Sequence, residues 1–319
     1  MQNLLEVSNL SIGIKKGKNI LKLVDDVSFS VKKGEILGLV GESGCGKSLT
    51  CRAIPSLLPR NIEILSGIVK FNDEIINSKT CNIEKIRGKN ISMIFQEPTK
   101  TLHPLKTIGS QIEEVLKIHT NMTKEQRKSR VLELLEIVGI DNPKVRVKQY
   151  PFQLSGGLCQ RVAIAIAVAL KPDLIIADEP TTALDVSVQK KILKLLKDLN
   201  REMKSSIIIV SHDIGVVKEI ADRVNVMYCG QIVEEGVLPD IFKNPLHPYN
   251  RSLMSCIPTL SMENKVLKPI PKTVPNPINY PKYCRFYDRC SERKEDCKCK
   301  NPEMIKIGEG NVRCIKYEK

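Results

Sequence analysis

The stretch EILGLVGESGCGKSLTCRAIPSLL, Glu35 to Leu58, decides the fold class. It opens on a short apolar run, passes through a glycine-rich turn and continues with helical spacing. Within it, Gly41 to Ser48 reads GESGCGKS, the pattern G-x-x-x-x-G-K-S of a phosphate-binding loop between a strand and a helix. Gly44 and Gly46 let the backbone curl so that its N–H groups face phosphate oxygens. Lys47 is placed for the β- and γ-phosphates, and the Ser48 hydroxyl for magnesium. The positive end of the following helix adds to the same field. Gly41, Ser43, Gly44, Cys45, Gly46, Lys47, Ser48 and Leu49 are therefore the expected nucleotide-binding residues. Pro55 should kink or shorten that helix.

Outward from the loop, two further apolar runs, DLIIADE (Asp173 to Glu179) and SSIIIVSHD (Ser205 to Asp213), suit strands buried on both faces of a parallel sheet. The run Val188 to Met203 has apolar residues three and four apart and links them as a crossover helix. The expected fold is α/β, a P-loop NTPase core of the RecA-like kind. Between its strands, Thr107 to Val138 carries two helical patterns, with a capping box at Thr123 and Gln126 and a stop at Gly139. A helical insert of about 97–157 follows from this.

The acids at the end of DLIIADE complete the hydrolytic set: Asp178 for magnesium, and Glu179 to polarise the attacking water. Further along, QLSGGLCQRVAIAIAVAL offers Ser155 as a helix cap, with Gly156 and Gly157 permitting close backbone approach. This is a second anion-ready helix start. One phosphate loop needs only one cradle. A dimer in which each chain closes over its partner's nucleotide explains the second.

At these residues the sequence resembles the ATP-binding subunits of ABC transporters along nearly its whole length. Leu154-Ser155-Gly156-Gly157, with Gln160 and Arg161, is similar to the family signature. Gln96 in IFQEP resembles the Q-loop glutamine, which senses magnesium and water. Thr182 to Asp185 resembles the D-loop, and His212 resembles the switch histidine that contacts the γ-phosphate. The resemblance implies Glu179, His212 and Gln96 as catalytic residues, and Ser48, Gln96 and Asp178 at magnesium. The chain departs from the pattern in three places. Ile14 stands where the family has an aromatic that stacks on adenine, Leu158 and Cys159 replace Met-Arg in the signature, and Pro55 follows the phosphate loop.

The segment NPLHPYNRSLMSCIPTL, Asn244 to Leu260, resembles the histidine-proline-tyrosine segment of the oligopeptide, dipeptide and nickel importer group. His247 and Tyr249 are expected to pack an accessory region there. The implied division is 1–240 for the nucleotide-binding domain, 241–283 for that segment and a proline-rich linker, and 284–319 for a cysteine-rich end. Five of the chain's 11 cysteines lie in this end. Cys284, Cys290, Cys297 and Cys314 resemble the family's four-cysteine end, where some members hold a 4Fe-4S cluster. Zinc is the alternative, and Cys299 is a spare thiol. The implied partners are a second related ATPase subunit in a heterodimer, two membrane permeases and an extracytoplasmic solute-binding protein.

Composition bounds these readings. The longest apolar run, Val162 to Leu170, is about half the ~20 residues of a membrane span, and the start lacks a signal-peptide pattern. A peripheral site at the cytoplasmic face of the cell membrane is expected, where thiols stay reduced. The net charge of +14 comes from dispersed lysines without the aromatic stripe that grips single strands, so no nucleic acid is expected. A soluble ABC-type ATPase acting on nucleic acid or ribosomes is the competing reading. The chain has neither the coiled coils nor the second cassette such proteins carry.

Overall fold

The computed structural model describes residues 2–17, 19–78, 80–256 and 270–318. Residues 257–269, which include the end of the histidine-proline-tyrosine segment and part of the expected linker, lie outside the described residues. The chain divides into two compact units. One comprises Met1–Leu4, Lys32–Ile36 and Ser78–Val210, the other Leu5–Val31, Leu37–Asn77 and Ser211–Lys319.

In the first unit the strands Ile91–Ile94, Leu174–Asp178 and Ser206–Ser211 pair in parallel, with Ile91 opposite Leu174 and Leu174 opposite Ser206. Every residue of Leu174–Asp178 is buried. An unbroken apolar run is what a strand covered on both faces requires. The crossover helix spans Val186–Met203 and buries Ile192, Leu193, Leu196 and Leu199. Its Asn200 amide donates to the carbonyls of Gly34 at 3.0 Å and Ser205 at 2.7 Å, pinning the helix end.

Within the expected insert lie Ile108–His119, Lys124–Ile137 and a short helix Pro143–Arg146, and the helix Gly156–Val168 begins at its end. Ile112, Leu116, Val131, Leu134, Leu135, Val162 and Ala165 are buried. The capping box forms: Thr123 Oγ1 accepts from the Gln126 N–H, and Gln126 Oε1 accepts from the Thr123 N–H at 2.8 Å. Gly139, at φ +71°, turns the chain after the helix.

In the second unit, the strand Ile36–Val40 runs parallel to Arg223–Tyr228, which pairs antiparallel with Gln231–Val237. The helix after the phosphate loop spans Lys47–Ala53 and stops before Pro55, so the proline shortens it. A separate four-stranded sheet holds Asn19–Lys32, Asn3–Lys16, Glu63–Phe71 and Glu74–Ile75 in that order. The C-terminal hairpin Ile305–Ile307 and Gly310–Val312 extends the first of these sheets, with Val312 opposite Glu234. The buried Arg313 seals this edge, Nε donating to Ile232 O at 3.1 Å and Nη1 to Pro302 O at 3.2 Å. The cysteine-rich end is thus built into the sheet of the second unit. No helix among the described residues is long and apolar enough to cross a membrane.

Candidate functional site

The phosphate loop belongs to the second unit. Gly41 has φ +153°, and a Cβ there would lie 2.1 Å from the Met227 carbonyl oxygen, so only glycine fits. Gly46 has φ +104° and starts the helix Lys47–Ala53 without a side-chain cap. Lys47 is buried, and its ammonium donates to the carbonyls of Gly41 at 2.7 Å and Glu42 at 3.0 Å. Ser43 and Gly44 are exposed at the tip, while Ser48 and Leu49 are half-buried. The Cys45 thiol is buried beneath the loop, and burial raises its pKa.

In the first unit, Gln96 and Glu179 come together. Gln96 Nε2 donates to Glu179 Oε2 at 2.9 Å, and Thr182 Oγ1 donates to the same oxygen at 2.9 Å. Glu179 itself has φ +49°, a left-handed backbone that a glutamate adopts at a cost, and its N–H donates to Val210 O at 3.0 Å. Asp178, one residue earlier, is fully buried at the strand end. A carboxylate held by an amide and a hydroxyl at a strained strand end is suited to accepting a proton from water.

The signature residues lie in the same unit. Ser155 caps the helix Gly156–Val168, its Oγ accepting from the Leu158 N–H at 3.4 Å, and Ser155 and Gly156 are exposed. A Cβ on Gly157 would lie 2.8 Å from Val188 Cγ1, so its lack of a side chain lets the crossover helix pack close. Asp185 caps that crossover helix, its Oδ1 accepting from the Val188 N–H at 2.9 Å. Cys159 is fully buried and donates its thiol to Pro151 O at 3.4 Å. That position holds a small apolar group here, where the family pattern has a basic one. Arg161 turns back to bond Val138 O. His212, in the second unit, is exposed just ahead of the helix Ile214–Ile220. Ile14 is half-buried on the strand Asn3–Lys16.

The ABC transporter family profile matches residues 24–182, which hold the phosphate loop, Gln96, the signature and the acidic pair. The chain is 46% identical, over 100% of its length and 98% of the relative's, to the "Oligopeptide transport ATP-binding protein AppD" of Bacillus subtilis (strain 168). It belongs to the ABC transporter family of ATPases. It is also 42% identical to the "Dipeptide transport ATP-binding protein DppD" of Haemophilus influenzae, over 98% of this chain and 94% of the relative. A second profile, "Oligopeptide/dipeptide transporter, C-terminal region", matches residues 233–297. Among solved structures, the chain resembles the dimeric post-hydrolysis state of the ATP-binding cassette MJ0796 bound to ADP and Pi. The TM-score is 0.66 at 32% identity, covering 73% of this chain and 98% of that one. The P-loop α/β fold and ATP hydrolysis follow from these matches.

In this ABC ATPase the C-terminal region is packed by the residues of its histidine-proline-tyrosine segment. His247 is buried and caps the helix Pro248–Ser255, its Nδ1 accepting from the Tyr249 N–H at 3.0 Å. Burial, with Arg251 nearby, lowers its pKa to about 3, so the ring stays neutral as an acceptor. Glu234 accepts the N–H groups of Leu246 and His247, each at 2.8 Å. His247 and Tyr249 are both buried, as the expected packing role requires.

Cys284, Cys290, Cys297 and Cys314 line one cavity of about 410 Å³ with His247 and Phe286. Burial, and then the facing thiols, push Cys284 up to about 12, and burial also raises Cys290 and Cys314. Cys299 is exposed and off this wall. Among the described residues no group of three or more His, Cys, Asp or Glu stands ready to hold a metal ion. The closed metal-ligand group expected at the cysteines is thus not formed among the described residues. The four thiols share a cavity without converging. Glu42, Tyr249 and Arg289 were not legible as site residues. Glu42 occupies a variable position of the loop pattern, and the other two lie more than 200 residues away in sequence, bonded to it only in the fold.

Proposed function

We propose that this ATPase powers the import of peptides through a membrane transporter. The observation that carries the reading is the C-terminal region of oligopeptide and dipeptide transporters joined to a complete hydrolytic set in one chain. Lys47 and the loop N–H groups hold the ATP phosphates, and Ser48, Gln96 and Asp178 would hold magnesium, which neutralises phosphate charge. Glu179 takes a proton from the attacking water, with Gln96 and Thr182 fixing its orientation. His212 contacts the γ-phosphate. The exposed Ser155 and Gly156 offer a second chain's nucleotide a helix start, and closure of that dimer drives the permeases between two states.

The same reading assigns the partners: a second related ATPase subunit, two permeases and an extracytoplasmic solute receptor, with this chain at the cytoplasmic face. The insert carries a cavity of about 450 Å³ lined in part by Gly109, Val131, Leu132 and Val147. Beside the signature, Tyr150 and Phe152 stack with centroids 5.6 Å apart, and Phe152 is 74% exposed. Such apolar surface suits contact with the permeases. Uptake of a labelled peptide by cells lacking this chain, restored by the wild type but not by Glu179→Gln, tests the proposal. Undiminished uptake in the deletion strain would end it.

The cysteine cavity supports a finer reading. Four soft thiols around one space suit a 4Fe-4S cluster, because each thiolate ligates its own iron and the four need not meet at one point. A lone tetrahedral zinc, with Zn–S bonds of about 2.3 Å, would draw the four sulfurs to one point. Burial raises the thiols of Cys284, Cys290 and Cys314, so a group ligated by them would bind with proton release.

A further inference from the structure

The cysteine-rich end reaches into the phosphate loop. Arg289, 5% exposed, grips the Glu42 carboxylate with both terminal nitrogens, Nη1 donating to Oε2 at 2.7 Å and Nη2 to Oε1 at 2.9 Å. Its Nε donates to Pro271 O at 2.9 Å, and Nη1 also reaches the Tyr228 hydroxyl at 3.4 Å. All three guanidinium nitrogens are therefore committed, and the fork is fixed. The Glu42 N–H donates to the Tyr249 hydroxyl at 2.9 Å, and the Glu42 carbonyl accepts from Lys47. Tyr249 is buried against Tyr228 and Phe286, with centroids 4.6 and 5.4 Å apart.

Electrostatics makes this arrangement consequential. Glu42 puts a carboxylate into a loop whose work is to surround an anion. Left bare, its negative charge would oppose the incoming phosphates. A bidentate guanidinium cancels that charge and fixes the side chain in direction, which a lysine point charge does less well. The Tyr249 hydroxyl meanwhile holds the Glu42 N–H, which sets the loop's entry from the strand.

We propose that Arg289 and Tyr249 are positioning residues for ATP binding, holding Glu42 neutralised and the phosphate loop in its binding curvature from the C-terminal region. The inference rests on the reading of Gly41–Ser48 as the ATP phosphate loop. ATP affinity of this ATPase is then set partly by a segment outside the nucleotide-binding cassette, and it responds to how well that segment is folded.

The test is a titration of the full-length protein with a fluorescent ATP analogue, alongside steady-state ATPase kinetics. Arg289→Met keeps the side-chain volume and removes the charge. It should raise Kd about tenfold or more while leaving kcat at saturating ATP within about twofold. Adding Glu42→Gln to Arg289→Met removes the unpaired carboxylate and should bring Kd back to within about threefold of wild type. A purely structural arginine would show no such rescue. Unchanged affinity in Arg289→Met, or a loss that Glu42→Gln does not relieve, overturns the proposal. If Arg289→Met does not fold, Arg289→Lys carries the test. It keeps the charge but not the two-pronged grip, so Kd should rise by about threefold or more and Glu42→Gln should relieve the loss; unchanged affinity, or a loss that Glu42→Gln does not relieve, overturns the proposal equally. Lys47→Ala in the same titration must lose binding. Its failure to do so would count against the nucleotide reading itself, whereas the arginine variants judge only the brace.

Discussion

Glu179 sits in a left-handed backbone with two donors on one carboxylate oxygen. Positive φ costs a glutamate on the order of 1–3 kcal/mol, and the Gln96 and Thr182 bonds help hold it there. Glu179→Gln keeps the shape and removes the proposed base. Turnover should fall by about 10²–10⁴-fold with ATP affinity retained, as read by phosphate release and nucleotide titration on the same preparation. A variant that hydrolyses ATP at the wild-type rate would remove Glu179 from the mechanism. Motif spacing named Gln96 and Glu179 as candidates in the sequence. Their mutual bonding was not legible there, since Gln96 and Glu179 lie 83 positions apart and meet only in the fold.

The helices behave as their ends dictate. The pattern Thr123 to Gln126 forms a reciprocal cap, and Gly139 ends the same helix at positive φ. Thr123→Ala should cost about 1 kcal/mol of stability, because one N-terminal N–H loses its acceptor. Urea denaturation should register that loss while the Kd for ATP stays at the wild-type value; a shift in Kd would mean the cap supports the site. Element boundaries moved slightly from the sequence reading: the crossover helix begins at Val186, with Asp185 as its cap, rather than at Val188. Periodicity finds the buried face, whereas the first turn is decided by which side chain can reach an orphan N–H. The short C-terminal strands were not legible at all. Ile305–Ile307 and Gly310–Val312 carry too few residues for an alternating pattern, and they are defined by pairing with each other and, for the second, with Gln231–Val237.

At the scale of the whole molecule, the cysteine-rich end is part of the unit that holds the phosphate loop. Its hairpin extends that unit's sheet, and its arginines reach inward: Arg289 to Glu42, Arg285 to Asp25 and the Cys229 carbonyl, and Arg313 to the Ile232 carbonyl. The four cavity cysteines should act together. Protein purified anaerobically should contain iron and acid-labile sulfide, and Cys284→Ser should lose both and lower the melting temperature. Cys299→Ser, at an exposed thiol off the cavity wall, should change neither. Stoichiometric zinc without sulfide would replace the cluster with a single metal ion.

The amino-acid sequence by itself determined the P-loop α/β class and the order of the core elements. Phosphate loops, strand-end acids and capped helices are local devices, in which residue type and spacing fix the backbone geometry. Tertiary structure alone decided which distant side chains act on those devices. Arg289 is one arginine among many in a lysine- and arginine-rich chain, and nothing in its neighbours marks it. Its place against Glu42 follows from a sheet edge, a buried aromatic cluster and a turn that converge in space, and contacts between residues so far apart leave no local periodicity to read.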